Sequence, residues 1–95
     1  MKHHSDDPVY VISVAAKLVG LPCWMLRQLD NEGLVSPTRT AKNRRLYSDR
    51  DIATLEYIRF LTTEKRVNVA GIRYIFELEG RFDQMAREGG GKMNR

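Results

Sequence analysis

Four basic side chains, Arg39, Lys42, Arg44 and Arg45, fall within residues 36–47, and no acid interrupts them. The chain as a whole has 16 Lys and Arg against 12 Asp and Glu, a formal net charge of +4. Outside this stretch, therefore, the charges balance. Guanidinium groups fork onto phosphate oxygens, and two in succession also suit a narrow minor groove. Upstream, Arg27 and Gln28 stand side by side in a segment of helical periodicity. In a major groove arginine pairs bidentately with guanine, and glutamine with adenine. Together these residues could recognise duplex DNA, one segment gripping backbone and the other reading base edges. The plain alternatives are a solvated charge run for the basic segment and an ion pair with Asp30 or a contact with Asn31 for Arg27.

Three further residues belong with them. Trp24 is a large aromatic near the start of the same helical segment, either a base or sugar contact or part of a hydrophobic surface. Tyr47 closes the basic segment. Its ring is expected to pack on the domain while its hydroxyl reaches a phosphate, with pure core packing as the alternative. Ser13 is a good N-cap, and the free amides and dipole of the helix it opens would also favour a phosphate.

The elements that must position these residues follow from periodicity and punctuation. Ser13 opens a short helix over residues 14–19, with Val14, Ala15, Leu18 and Val19 on its inner side. Gly20-Leu21-Pro22 breaks it, and a second helix runs over residues 23–32 to a stop at Gly33. Leu26 and Leu29 face inward there, leaving Trp24, Arg27, Gln28 and Asn31 outside. Leu34-Val35 reads as an outgoing strand, residues 40–43 as a hairpin tip and residues 44–47 as the returning strand. Ser48 and Asp51 form a capping box for a third helix buried along Ile52, Leu55, Ile58 and Leu61, with Ala53, Tyr57 and Phe60 widening the stripe. Asn68 caps a fourth helix over residues 69–79, and Val67 and Ile72 make a hydrophobic staple. Residues 1–8 are expected to be a flexible start, 9–80 one domain, 81–88 a short helix and 89–95 a loose basic tail. The predicted fold is mainly α with a small β-hairpin, a winged helix-turn-helix.

Composition narrows the function classes. At 42% hydrophobic and 29% charged the chain reads as an ordinary globular domain. No apolar run approaches the roughly 20 residues that span a bilayer, and the start lacks the apolar core of a secretory signal. The single cysteine, Cys23, cannot form an internal disulfide, which fits a reducing cytoplasm. It reads as a small buried apolar residue rather than a reactive thiol. No nucleophile elbow, phosphate loop or ligand cluster is present, so no catalytic residue, metal or cofactor is expected.

Three segments resemble the MerR family of bacterial transcription regulators. They are Leu26-Arg27-Gln28-Leu29-Asp30-Asn31-Glu32-Gly33-Leu34-Val35-Ser36-Pro37, Arg44-Arg45-Leu46-Tyr47-Ser48-Asp49-Arg50-Asp51-Ile52, and Val67-Asn68-Val69-Ala70-Gly71-Ile72-Arg73. Within the family the likeness is nearest to the HspR-type repressors of chaperone operons. The resemblance implies a winged helix-turn-helix, inverted-repeat promoter targets, homodimers on DNA and a DnaK-type chaperone as co-repressor. It also implies a cytoplasmic, non-enzymatic protein. Leu29 departs from the family, which usually has tyrosine there, and Trp24 and Met25 stand where polar residues or threonine are common. These differences bear on the target sequence more than on the fold. Two other readings use the same winged helix: an architectural, excisionase-like DNA-bending factor, and a protein-interaction module that docks an acidic surface.

Overall fold

The computed structural model describes residues 4–80. The helical turns expected at 81–88 and the tail at 89–95 lie outside the described residues. The chain enters through a two-residue strand β1 (Tyr10–Val11) that runs directly into helix α1 (Ile12–Val19). Helix α2 (Cys23–Asn31) follows, then strands β2 (Thr38–Arg39) and β3 (Arg45–Tyr47), and helices α3 (Asp49–Thr63) and α4 (Val69–Glu79). The three strands form one antiparallel sheet in the order β1-β3-β2.

The direct passage from strand to helix moves the first cap. Val11 is the extended N-cap of α1 and pairs with Leu46 in the sheet. Ser13 is consequently the second helical residue, exposed, and makes no cap hydrogen bond. The buried face also differs from the expected one. Ala15, Ala16 and Val19 are buried, whereas Val14 is 43% and Leu18 54% exposed. Two adjacent alanines let α1 lie close against both α2 and α3, and close approach needs small side chains more than large ones.

Gly20, at φ 76, turns the chain back after α1, a conformation that glycine tolerates. Pro22 is the extended N-cap of α2. At the other end Gly33 takes φ 77, and the amides of Leu34 and Val35 both donate to the Leu29 carbonyl, at 2.8 and 3.4 Å. Those amides close the helix, so Leu34 and Val35 are not the outgoing strand that their apolar character suggests. They drop into the core instead, and pairing begins only after Pro37, with Thr38 opposite Leu46 and Arg39 opposite Arg45.

The second half follows its caps. Ser48 Oγ accepts from the Asp51 amide, and Asp51 Oδ2 accepts from the Ser48 amide, each at 3.0 Å. Leu55, Ile58 and Leu61 are buried along α3, while Ala53 and Phe60 lie on its exposed side. Asn68 Oδ1 accepts from the Gly71 amide at 2.9 Å, and Ile72 and Phe76 are buried beneath α4. Tyr57 stacks on Phe76 with ring centroids 6.1 Å apart. The largest fully buried side chains, Tyr47, Phe76, Leu26, Leu29, Leu55, Ile58 and Ile72, draw on every helix except α1. One core therefore holds the helix pair and the hairpin together. Hydrogen bonds tie the chain's start to the beginning of α3: the Arg50 amide donates to the Ser5 carbonyl at 3.0 Å, and Tyr10 Oη donates to Asp49 at 2.7 Å.

Candidate nucleic-acid interface

The hairpin tip is shaped by one threonine. Thr40 Oγ1 accepts from the amides of Lys42 and Arg44 at 3.2 and 3.1 Å, and the Asn43 amide donates to the Thr40 carbonyl at 2.8 Å. Asn43 takes φ 63 to complete the reversal, a conformation asparagine adopts more readily than most residues. This turn projects Lys42 and Arg44 outward. Both are exposed, and among the described residues neither side chain has a hydrogen bond or ion pair.

The other two basic residues of the segment are placed differently. Arg45 Nε lies 2.8 Å, and Arg39 Nη2 3.0 Å, from the same oxygen, Asp30 Oδ2. Arg39 Nη1 also donates to the Asn43 carbonyl at 3.1 Å. Arg45 and Asp30 are largely covered, with side chains 18% and 13% exposed. Asp30 thus fastens the base of the hairpin to the last turn of α2, and Arg39 and Arg45 are ties before they can be phosphate contacts. Nothing in sequence spacing pairs Asp30 with residues 9 and 15 positions away. The only trace is an acid in the last turn of a helix, where the macrodipole disfavours it.

Ser13, although not a cap, faces the hairpin. With Val11, Ile12, Asn43, Arg44 and Arg45 it lines a groove of about 420 Å³ between the start of α1 and the wing. On α2, Trp24 is 60% exposed, Arg27 is exposed and Gln28 half-buried. Trp24, Met25 and Gln28 form one wall of a second groove, of about 430 Å³, opposite Thr62 and residues 67–70.

Tyr47 does not reach the surface. It is 0% exposed, and its hydroxyl has no hydrogen-bond partner among the described residues. Pairing with Tyr10 at the centre of the sheet turns the ring into the core. Burial, partly offset by nearby Arg45, pushes its pKa up from 10.0 to about 12. The expected contact of this hydroxyl with a phosphate is replaced by core packing. Cys23 packs against the core, with its sulfur 4.0 Å from the Ile12 carbonyl.

A helix pair whose second helix carries outward polar and aromatic groups, tied to a basic hairpin, matches a known family over nearly all the described residues. Residues 10–79 match the model described as MerR HTH family regulatory protein. The chain belongs to the MerR family. A MerR-family relative, the heat shock protein HspR of Streptomyces coelicolor, is 51% identical over 80 residues, covering 84% of this chain and 53% of that protein. The transcriptional regulator GlnR of Bacillus anthracis is 37% identical over 68 residues, covering 72% of this chain and 52% of its own length. The chain thus spans about half the length of these curated relatives. The crystal structure of HiNmlR, a MerR-family regulator lacking the sensor domain and bound to promoter DNA, superposes with a TM-score of 0.65 at 25% identity. It covers 83% of this chain and 60% of that one. The MerR winged helix-turn-helix is therefore the architecture of residues 10–79. No helix among the described residues is long and apolar enough to cross a membrane.

Proposed function

We propose that this MerR-family chain regulates transcription by binding promoter DNA as a dimer on an inverted repeat, with chaperone or heat-shock genes as its targets. The observation that carries the reading is the joint at Asp30, which fixes a wing with outward Lys42 and Arg44 against a helix that exposes Trp24 and Arg27 beside half-buried Gln28. In it, α2 enters the major groove. Arg27 and Gln28 read base edges there, and Trp24 packs on a base or sugar. Arg44, Lys42 and Ser13 take backbone phosphates, which set affinity and its salt dependence. Arg39 and Arg45 hold the wing in register. The likeness to a heat shock protein over 84% of the chain supports the choice of target genes. The same reading makes the protein cytoplasmic and not an enzyme, with a DnaK-type chaperone as co-repressor.

Selection from a random duplex library tests this. Enrichment of an inverted repeat found in chaperone promoters is the expected result. Enrichment of direct repeats that are strongly bent on binding would point to an architectural factor, and no enrichment would overturn the reading.

A further inference from the structure

Asp30 carries more than a structural tie. Both arginines that flank the hairpin turn converge on a single oxygen of its carboxylate. The carboxylate stands in the last turn of α2, which holds no basic residue of its own, so α2 alone gains nothing from an acid there. Its partners all lie on the wing. Without Asp30, Arg45 would lose its anchor and Arg39 would keep only its contacts with Asn43, leaving both freer to act beside Lys42 and Arg44.

Mobile cations bind any phosphate at any register, and that strengthens binding to all duplexes alike. Fixed cations bind only where the backbone passes at the right distance from α2, which favours the sequence whose bases α2 can read. We propose that Asp30 is a specificity-determining positioning residue: it withdraws Arg39 and Arg45 from indiscriminate phosphate binding and locks the wing to the reading helix. The inference rests on the DNA-binding reading above.

The test compares wild-type protein, Asp30→Asn and a charge-matched control, Glu56→Gln on the exposed side of α3, each titrated by fluorescence anisotropy. The duplexes are the library-selected one and a scrambled version of it, over a range of salt. A neutral amide keeps an acceptor oxygen but loses the charge that draws two guanidinium groups to it, so the tie is weakened. Asp30→Asn is therefore expected to bind the scrambled duplex about three- to tenfold more tightly, with a salt slope steeper by about one to two. Its preference for the selected duplex falls by about tenfold, while Glu56→Gln keeps the wild-type preference. Equal loss on both duplexes with an unchanged slope, or no change at all, would overturn the proposal. So would an equal effect of Glu56→Gln, which would reduce the result to net charge. If Asp30→Asn does not fold, Arg45→Lys serves instead: it keeps the charge but removes the Nε–H that donates to Asp30, and the same drop in preference is expected. If the wild type binds neither duplex, the DNA-binding reading fails rather than this one.

Discussion

Arg73, in the middle of α4, reaches across 41 residues of sequence to Glu32, the C-cap of α2. There its Nη2 donates to both the carboxylate, at 2.8 Å, and the backbone carbonyl. The end of α2 is thus held from two sides, by Arg73 at Glu32 and by the wing arginines at Asp30. An arginine at a helix C-terminus satisfies a carbonyl that has no intrahelical partner and complements the negative end of the dipole. Because both side chains are about one-third exposed, the ion pair itself is screened. Arg73→Ala is expected to cost about 1 kcal/mol, mostly through the lost carbonyl contact. That should appear as a fall of about 4–8 °C in Tm, checked by thermal denaturation followed by circular dichroism.

Arg44 and Arg27 separate gripping from reading. Both are exposed, and neither side chain has a partner among the described residues, so alanine at either should leave Tm within about 2–4 °C. Arg44→Ala should weaken binding to every duplex alike and flatten the salt slope by about one. Arg27→Ala should cost about 1–3 kcal/mol on the preferred sequence and little on a scrambled one. Anisotropy titrations of both variants on both duplexes distinguish these. Interchanged phenotypes would mean that the helix and the wing have been assigned the wrong roles.

Tyr47→Phe removes a buried hydroxyl that has no partner among the described residues. Leaving a polar group unpaired in a core costs about 1–3 kcal/mol, so the variant should be as stable as the wild type or more so. DNA affinity should not change. A marked loss of affinity in a stable variant would restore the phosphate contact that the sequence suggested for this hydroxyl.

The same tyrosine makes stability depend on alkaline pH. Its folded pKa, about 12, lies above the ordinary 10.0, so the folded state holds its proton while the unfolded chain releases it. The contribution is complete below pH 10 and is lost as pH climbs towards 12. Tyr10, raised chiefly by its hydrogen bond to Asp49, acts in the same direction. Urea midpoints measured between pH 9 and 11 should therefore fall for the wild type, and less steeply for Tyr47→Phe.

Much of this architecture was legible in the residues because its signals are local. The Ser48–Asp51 box, the Asn68 cap and the glycines at 20 and 33 act within a few positions, and each stands where it was expected. The misreadings came where a distant partner decides. Leu34 and Val35 have strand character, but their amides are taken by Leu29. Ser13 is a good cap, but Val11 is already fixed in the sheet through Leu46. Among the candidate site residues, Trp24 and Arg27 are outward as expected, Gln28 is half-buried, and Lys42 and Arg44 are exposed on the hairpin. Arg39 and Arg45 are tied to an acid that no spacing rule connects to them, and Tyr47 is buried by its place in a sheet whose first strand was not foreseen.

The most direct test of the central claim is fluorescence anisotropy of a labelled chaperone-promoter inverted repeat at several salt concentrations, beside a scrambled duplex and a single half-site. The account predicts tight binding to the full repeat, much weaker binding to the half-site, and weak, salt-sensitive binding to the scrambled duplex. Equal binding to all three would leave a DNA-gripping wing but contradict promoter recognition by α2, and no binding to any would contradict the DNA-binding account altogether.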